Sequence, residues 1–321
     1  MTPARKHLLN YSYYPGCSLH ASGREYDIST RALFKALNLG LKEVPDWFCC
    51  GATPAHNVDE LLSLSLGAKN LSLAQNVEGD LAVACAACFS RLKTTQHALK
   101  GDRAKKAQVE RAIDGPAALD KPVKHILEIL ARDFGLTRLA ENVRKPLAGL
   151  KVACYYGCLL TRPPEVPQLD DCEDPRIMED ILLALGAQPV DWSHRMECCG
   201  ANFTLSRPGV VLKLSNAILE SARGEGADCI MVACPLCHGN LDIRQHGIKE
   251  KYGKPEGTLL GNIFGSEILQ GGCGDTEPRP ETPIFYVTQL AGLAMGVPTD
   301  RLGLESIIID PMPLLREKGL L

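Results

Sequence analysis

The alternation of apolar and polar positions divides the chain into short apolar segments and segments of helical periodicity. Short strands are predicted at 9–14 and 150–156, and apolar residues at helical spacing follow each strand, over 25–39 and 176–185. Each half then continues with a strand, a helix and an apolar run, at 42–45, 59–76 and 80–84 in the first half and at 188–192, 210–222 and 228–233 in the second. This order indicates α/β units with parallel sheets.

The order of elements is repeated because the sequence itself is repeated. The motif Cys49-Cys50-Gly51 returns as Cys198-Cys199-Gly200, and the CxxC motif that begins at Cys85 returns at Cys234 with the same offset, since 199 − 50 equals 234 − 85. The second copy carries extra residues before its CC pair, and the Pro- and Asp-rich stretch 162–174 accommodates them. The two copies also end alike, at 122–135 and 283–296.

The duplication predicts the domain organisation. The chain has 321 residues, which suits two domains of ordinary size. We expect an α/β fold of two duplicated, Rossmann-like domains with small parallel sheets, related by a pseudo-twofold axis. The first domain is expected to comprise residues 1–144 and the second residues 145–321.

Ten of the fourteen cysteines occur as two copies of one five-cysteine pattern. The first set is Cys17, Cys49, Cys50, Cys85 and Cys88, and the second set is Cys158, Cys198, Cys199, Cys234 and Cys237. Each group of cysteines comes just after a predicted strand. Because the carboxyl ends of parallel strands meet at one edge of a sheet, the three groups of each set are expected to converge there.

Composition and charge limit the classes of partner. The net charge is −3 with both signs mixed along the chain, so nucleic acid is not expected as a partner. No apolar run reaches the roughly 20 residues of a membrane span, and the N-terminus lacks the features of a secretory signal. We therefore expect a cytoplasmic protein, in which a disulfide framework is disfavoured and metal or redox chemistry accounts better for the cysteines.

Soft thiolate ligands select zinc, copper(I) or iron–sulfur clusters. A structural zinc site and an ordinary cubane cluster each take four protein ligands, and each set here provides five. Either one cysteine of each set is spare, or the centre is not an ordinary cubane. Iron–sulfur is the favoured interpretation, while zinc and metal-free thiol–disulfide chemistry remain alternatives.

From residue 11 to residue 296, the motifs resemble the CCG domain, the cysteine-rich domain of the B-type subunit of heterodisulfide reductase. The resemblance implies one non-cubane [4Fe-4S] cluster in each domain, with all five cysteines of each set as ligands. It implies an oxidoreductase component that reduces or forms a disulfide, or handles a sulfur-carrier thiol, between its two clusters. Sulfur-oxidising systems are one setting that it allows. The implied partners are a ferredoxin-type protein and a flavoprotein, each similar to the corresponding component of heterodisulfide reductase.

Two other functions are compatible with the sequence. One is an electron-relay iron–sulfur subunit of a glycolate- or lactate-type 2-hydroxy-acid oxidase, and the other is a zinc-stabilised scaffold subunit. The sequence has no GxGxxG after a strand, so no dinucleotide site is predicted and electrons must be exchanged with other proteins of a complex.

Several residues near the cysteine motifs are weaker candidates. A histidine close to a cluster could donate a proton to a departing thiolate or tune the cluster through a hydrogen bond. The candidates of this type are His20, His56, His194 and His238. The cysteines without a counterpart in the other repeat are Cys154, Cys172, Cys229 and Cys273, and burial in the core is the favoured explanation for Cys154.

Overall fold

A computed structural model describes residues 9–52, 55–252 and 281–321, and in this part of the chain it contains two four-stranded parallel sheets. The strands of the first sheet are β1 (Asn10–Tyr14), β2 (Gly40–Glu43), β3 (Asp80–Val83) and β4 (Val123–His125), and those of the second are β5 (Lys151–Tyr155), β6 (Gln188–Val190), β7 (Cys229–Val232) and β8 (Ile284–Tyr286). The strand order is β2-β1-β3-β4 in the first sheet and β6-β5-β7-β8 in the second. This identity of strand order confirms the duplicated α/β fold.

Helices connect the parallel strands, as this topology requires. In the first half they are α1 (Gly16–His20), α2 (Arg24–Ala36), α3 (Ala55–Val58), α4 (Glu60–Gln75), α5 (Ala86–Gly101), α6 (Arg103–Ala112), α7 (Ile126–Glu128) and α8 (Leu136–Glu141), with a π-helical segment at Ile129–Gly135. In the second half they are α9 (Ile177–Ala184), α10 (Pro208–Gly224), α11 (Pro235–Tyr252), α12 (Val287–Ala294) and α13 (Met312–Glu317). None of these helices in the described part of the chain is long and apolar enough to cross a membrane.

Local sequence signals explain where the helices begin. Asp59 precedes α4, and its carboxylate accepts a hydrogen bond of 2.6 Å from the backbone N–H of Leu62, which satisfies one of the free donors of the first turn. Helix α10 begins with Pro208, whose missing N–H is not needed at that position. Both helices were predicted from the sequence.

The central strands are buried over almost their whole length. All four residues of β7 are buried, and so are the last three of β3. Since successive side chains of a strand point to opposite faces, burial of consecutive residues means that both faces of the sheet are covered. In the register of the first sheet, Tyr14 pairs with Val83, so the segments that follow β1 and β3 leave the sheet side by side.

The two halves meet through α2 and α12. The rings of Tyr26 and Tyr286 are stacked with centroids 4.0 Å apart, and the ring of His238 stacks on Tyr286 at 4.3 Å. The hydroxyls of Ser29 and Thr288 are hydrogen-bonded at 2.7 Å in the buried interior of the same junction. The expected boundary between residues 144 and 145 lies between β4 and β5 and stays a prediction.

Candidate metal centre

The first set of cysteines converges at the carboxyl edge of the first sheet. Cys17 follows β1, the CC pair follows β2, and Cys85 and Cys88 follow β3. The Sγ atoms of Cys17 and Cys49 are 3.6 Å apart, and those of Cys50 and Cys88 are 3.3 Å apart. The strand order thus brings together cysteines that are distant in sequence.

The second set has the same arrangement. The Sγ atoms of Cys158 and Cys198 are 3.9 Å apart, and those of Cys199 and Cys237 are 3.6 Å apart. In both sets the first cysteine of the CC pair is exposed and the second is buried. Each CC pair therefore presents one thiol to solvent and one to the protein interior.

The two sets touch each other. The backbone N–H of Ala86 donates a hydrogen bond of 3.3 Å to the carbonyl of Ala233, and the thiol of Cys234 lies close enough to Cys85 to raise the pKa of the Cys85 thiol. The two CxxC loops therefore meet at one junction between the two sets.

The sulfur distances suit metal ligation. Two thiolates on one tetrahedral metal ion, each about 2.3 Å from it, are about 3.8 Å apart. Each set contains two such pairs, at 3.3–3.6 Å in the first and 3.6–3.9 Å in the second. No group of three or more potential ligands surrounds a single ion position among the described residues. Among the described residues, the close approaches between thiols of each set are thus pairwise.

A glycine before the lone cysteine of each set allows this close packing. Gly16 and Gly157 have φ angles of +75° and +64°, which L side chains rarely adopt. A Cβ atom on Gly16 would lie 2.9 Å from the sulfur of Cys88, and one on Gly157 would lie 3.3 Å from the sulfur of Cys237. Any side chain at these positions would displace a thiol of the set.

A tyrosine at the end of the central strand positions each CC loop. The hydroxyl of Tyr14 donates a hydrogen bond of 2.7 Å to the carbonyl of Phe48, and that of Tyr155 donates one of 2.5 Å to the carbonyl of Glu197. Both carbonyls belong to the residue just before the CC pair. In the second set, the Asn240 amide also donates to the carbonyl of Cys199 at 3.3 Å. The sequence alone assigned neither tyrosine a role.

The first cysteine of each CC pair is the favoured thiolate in the protein without metal. Hydrogen bonds from Cys17 and Cys50 lower the pKa of Cys49 to about 2. A hydrogen bond from Cys158 lowers the pKa of Cys198 to about 6. Because the thiolate is the form that binds metal, both exposed positions are prepared for ligation.

A cavity of about 190 Å³ lies between the two halves, beside the second set. One wall is formed by first-half residues, which include His56, Ala86 and Arg91. The opposite wall contains all five cysteines of the second set. A small molecule in this cavity would contact both halves of the chain.

The four histidine candidates differ in position. His56 lines the cavity. His20 is exposed, with its ring against Trp47 and Nε2 3.4 Å from the Glu43 carboxylate. His194 is hydrogen-bonded to the neighbouring Ser193 at 2.9 Å. The ring of His238 is buried in the junction, with Nε2 3.0 Å from the carbonyl of Ile284. The structure thus favours His56 as the candidate that can reach a molecule in the cavity.

The cysteines outside the sets lie elsewhere. Cys154 and Cys229 are buried in strands of the second sheet, and burial raises the pKa of both thiols. Cys172 is half-buried in the inserted stretch, near Glu173. Cys273 lies outside the described residues. Arg91 and Asn240 were missed by sequence reasoning, because neither carries a recognisable motif.

Comparison with known proteins shows which family and which relatives this chain resembles. The family model "Cysteine-rich domain" (CCG) matches twice, at residues 11–93 and 152–242. The chain is 31% identical to the membrane anchor subunit of the 8-methylmenaquinol:fumarate reductase of Wolinella succinogenes, over 95% of this chain and 98% of that protein. It is 29% identical to the B-type subunit of the ferredoxin:CoB-CoM heterodisulfide reductase of Methanosarcina mazei, over 95% of each chain.

A solved structure supports the fold. A hypothetical protein from Helicobacter pylori aligns with a TM-score of 0.69 at 11% identity, over 96% of this chain and 52% of that one. At this identity the likeness concerns the arrangement of helices and strands alone.

Proposed function

Because the chain belongs to the family of proteins with CCG cysteine-rich domains, we propose that it is the iron–sulfur catalytic subunit of a heterodisulfide reductase-like complex. In this role it reduces or forms a disulfide, or handles a sulfur-carrier thiol, between two non-cubane [4Fe-4S] clusters. The ten cysteines of the two sets are the proposed ligands. A ferredoxin-type protein and a flavoprotein, similar to the corresponding components of heterodisulfide reductase, are the proposed redox partners.

The pairing of sulfurs supports the non-cubane assignment. An ordinary four-iron cubane takes one cysteine at each iron, which leaves a fifth cysteine without a site. In both sets, by contrast, two pairs of thiols lie at the spacing of ligands that share one metal atom. A more open cluster would use all five thiolates and leave an iron accessible to a substrate sulfur.

The observation that carries the disulfide chemistry is the junction between the two sets beside an open cavity. Reduction of a disulfide takes two electrons and two protons and yields two thiols. When bound, the two clusters would supply the electrons, one from each half. The protein's own residues would hold the substrate in the cavity, exclude water with the walls of both halves, and place the His56 imidazole where it can transfer a proton.

The first prediction concerns metal content. Protein purified without oxygen is expected to be brown and to contain about eight irons per chain, from two four-iron clusters. Iron and zinc are measured together by elemental analysis on the same sample. Stoichiometric zinc with little iron would show that the sets are structural zinc sites and would support the scaffold function.

The second prediction tests thiol chemistry directly. Addition of mercaptoethanol to the oxidised, iron-loaded protein is expected to change its electron paramagnetic resonance and visible spectra, because a thiolate can ligate an accessible iron. The same thiol added to a ferredoxin with fully ligated cubanes serves as the control. Unchanged spectra at saturating thiol would count against disulfide chemistry in this protein.

A second function, electron relay, is favoured by the adjacency of the two CxxC loops, which are joined by the hydrogen bond between Ala86 and Ala233. The relative from Wolinella succinogenes belongs to a fumarate reductase, so chains of this type also occur in complexes that are named for a different reaction. A relay protein, including one of the 2-hydroxy-acid oxidase type, would exchange electrons with its partners and give no thiol-dependent spectrum.

A further inference from the structure

One buried hydroxyl at the junction of the two halves has no hydrogen-bond partner. Tyr26 lies in the first turn of α2, and its side chain is fully buried. Among the described residues, none is hydrogen-bonded to its hydroxyl oxygen. A buried hydroxyl without a partner is unfavourable, and phenylalanine would supply the same ring without that cost. The hydroxyl therefore indicates an acceptor that the polypeptide itself does not provide.

The beginning of α2 packs on the CxxC loop of the second set. A Cβ atom on Gly23, just before the helix, would lie 2.9 Å from the Cβ atom of Pro235 inside that loop. The Tyr26 ring stacks on Tyr286, whose ring stacks in turn on His238, directly after the loop. Tyr26 is therefore held beside this loop by an aromatic stack.

The hydroxyl of Tyr26 lies near thiols of both sets. Burial raises the pKa of this hydroxyl, and the thiols of Cys85 and Cys234 raise it further, so one thiol from each set is close enough to act on it. The hydrogen bond from Ala86 to Ala233 joins the two loops that carry these thiols. The hydroxyl is thus placed where the two CxxC loops meet.

The other polar groups of the stack already have partners. The hydroxyl of Tyr286 donates a hydrogen bond of 3.2 Å to the carboxyl of Glu25. Nε2 of His238 is 3.0 Å from the carbonyl of Ile284. Among the described residues, Tyr26 thus carries the one phenol hydroxyl of this stack that is not hydrogen-bonded.

The second half has no equivalent hydroxyl. Helix α2 has 13 residues and α9 has 8, and each ends four residues before the next strand begins. Counted back from these ends, Tyr26 corresponds to Asp174, which precedes α9 and is paired with Arg176 and Arg195. A donor of this kind is therefore available on one side of the junction only.

We propose that the Tyr26 hydroxyl donates a hydrogen bond to a sulfur of one iron–sulfur centre at the junction and raises the reduction potential of that centre. Such a bond stabilises the reduced form, which carries more negative charge. Because the donor is not duplicated, it would contribute to a difference in potential between the two centres. The inference rests on the proposed iron–sulfur ligation by the two sets and is independent of the disulfide reaction.

The test is Tyr26→Phe, which keeps the ring and removes the hydroxyl alone. Reduction potentials are measured on the anaerobic, iron-loaded protein by redox titration followed with electron paramagnetic resonance. In the variant, the reduced form of one centre is expected to become about tenfold less favoured, the effect of one hydrogen bond to a charged group. For a one-electron couple this is a fall in potential of about 59 mV. Iron content and the potential of the other centre should stay unchanged.

Two control variants remove phenol hydroxyls that have partners within the protein. Tyr286→Phe removes the hydroxyl bonded to Glu25 in the same stack, and Tyr11→Phe removes one in β1 that is bonded to Asp133 at 2.9 Å. Both should keep the wild-type potentials. In the metal-free proteins, Tyr26→Phe should be no less stable to denaturant than the wild type, because no hydrogen bond within the polypeptide is lost, whereas Tyr286→Phe should be less stable.

Three results would overturn the inference. Unchanged potentials in iron-loaded Tyr26→Phe would show that the hydroxyl bonds to neither centre. A loss of stability in the metal-free variant, or its failure to fold, would show that the hydroxyl has a structural role. An equal fall in potential in Tyr286→Phe would assign the effect to the polarity of the stack. The proposed disulfide function would stand in all three cases, whereas wild-type protein without iron would overturn both proposals.

Discussion

Replacement of Tyr286 with alanine is expected to lower the free energy of unfolding by about 3–5 kcal/mol, the range for removal of a large buried ring. The Tyr286 ring is fully buried between Tyr26 and His238 at the junction of the halves. Its hydroxyl also donates a hydrogen bond of 3.2 Å to the buried carboxyl of Glu25. Tyr286→Phe keeps the stack and removes that bond alone, so a smaller loss of about 1–2 kcal/mol is expected.

Unfolding in denaturant, followed by tryptophan fluorescence, measures this effect. The chain has two tryptophans, Trp47 in the first half and Trp192 in the second, so single Trp→Phe variants report on each half separately. The halves are expected to unfold together in the wild-type protein and apart in Tyr286→Ala. Phe203→Ala, in which the lost ring is 48% exposed, is the matched control and should change stability little. An unchanged midpoint for Tyr286→Ala would show that other contacts hold the junction.

Much of the fold follows from the sequence because each pattern is local. Periodicity predicted the central strands β1, β3, β5 and β7 to within a residue or two at each end. The fourth strand of each sheet was not predicted. β4 and β8 were recognised only as part of the matching ends of the two copies, and tertiary pairing with β3 and β7 defines them as strands.

The candidate site, like the fold, was predicted from the sequence only in part. The repeat identified the cysteine sets, and the rule that strand ends meet at one edge explains their convergence. The meeting of the two CxxC loops at Ala86 and Ala233 depends on how the two halves pack against each other, and no local pattern encodes a packing between distant elements. Arg91 is likewise one arginine among many in the sequence, and its unpaired state in the cavity is visible only once both halves are assembled.

The substitutions Cys50→Ser and Cys199→Ser are expected to have the largest effect on the metal centres. Both thiols are buried, and each lies within 3.3–3.6 Å of a thiol of the CxxC motif. A serine hydroxyl is a harder ligand that is protonated at neutral pH, so it replaces a soft thiolate poorly. Each variant should lose up to about half of the roughly eight irons or retain them in a centre with an altered spectrum.

The number of protein ligands distinguishes an ordinary cubane from a more open cluster, and the cysteine variants measure that number. An ordinary cubane binds four cysteines, so one of the five in each set would be spare and its substitution would be silent. Iron content and electron paramagnetic resonance spectra of all ten single Cys→Ser variants therefore count the ligands directly. Cys172→Ser is the control, because this thiol is half-buried outside both sets.

Normal iron content and normal spectra in Cys50→Ser and Cys199→Ser would contradict the non-cubane assignment. They would also remove the accessible iron on which direct disulfide cleavage depends, and electron relay would then account better for the paired centres.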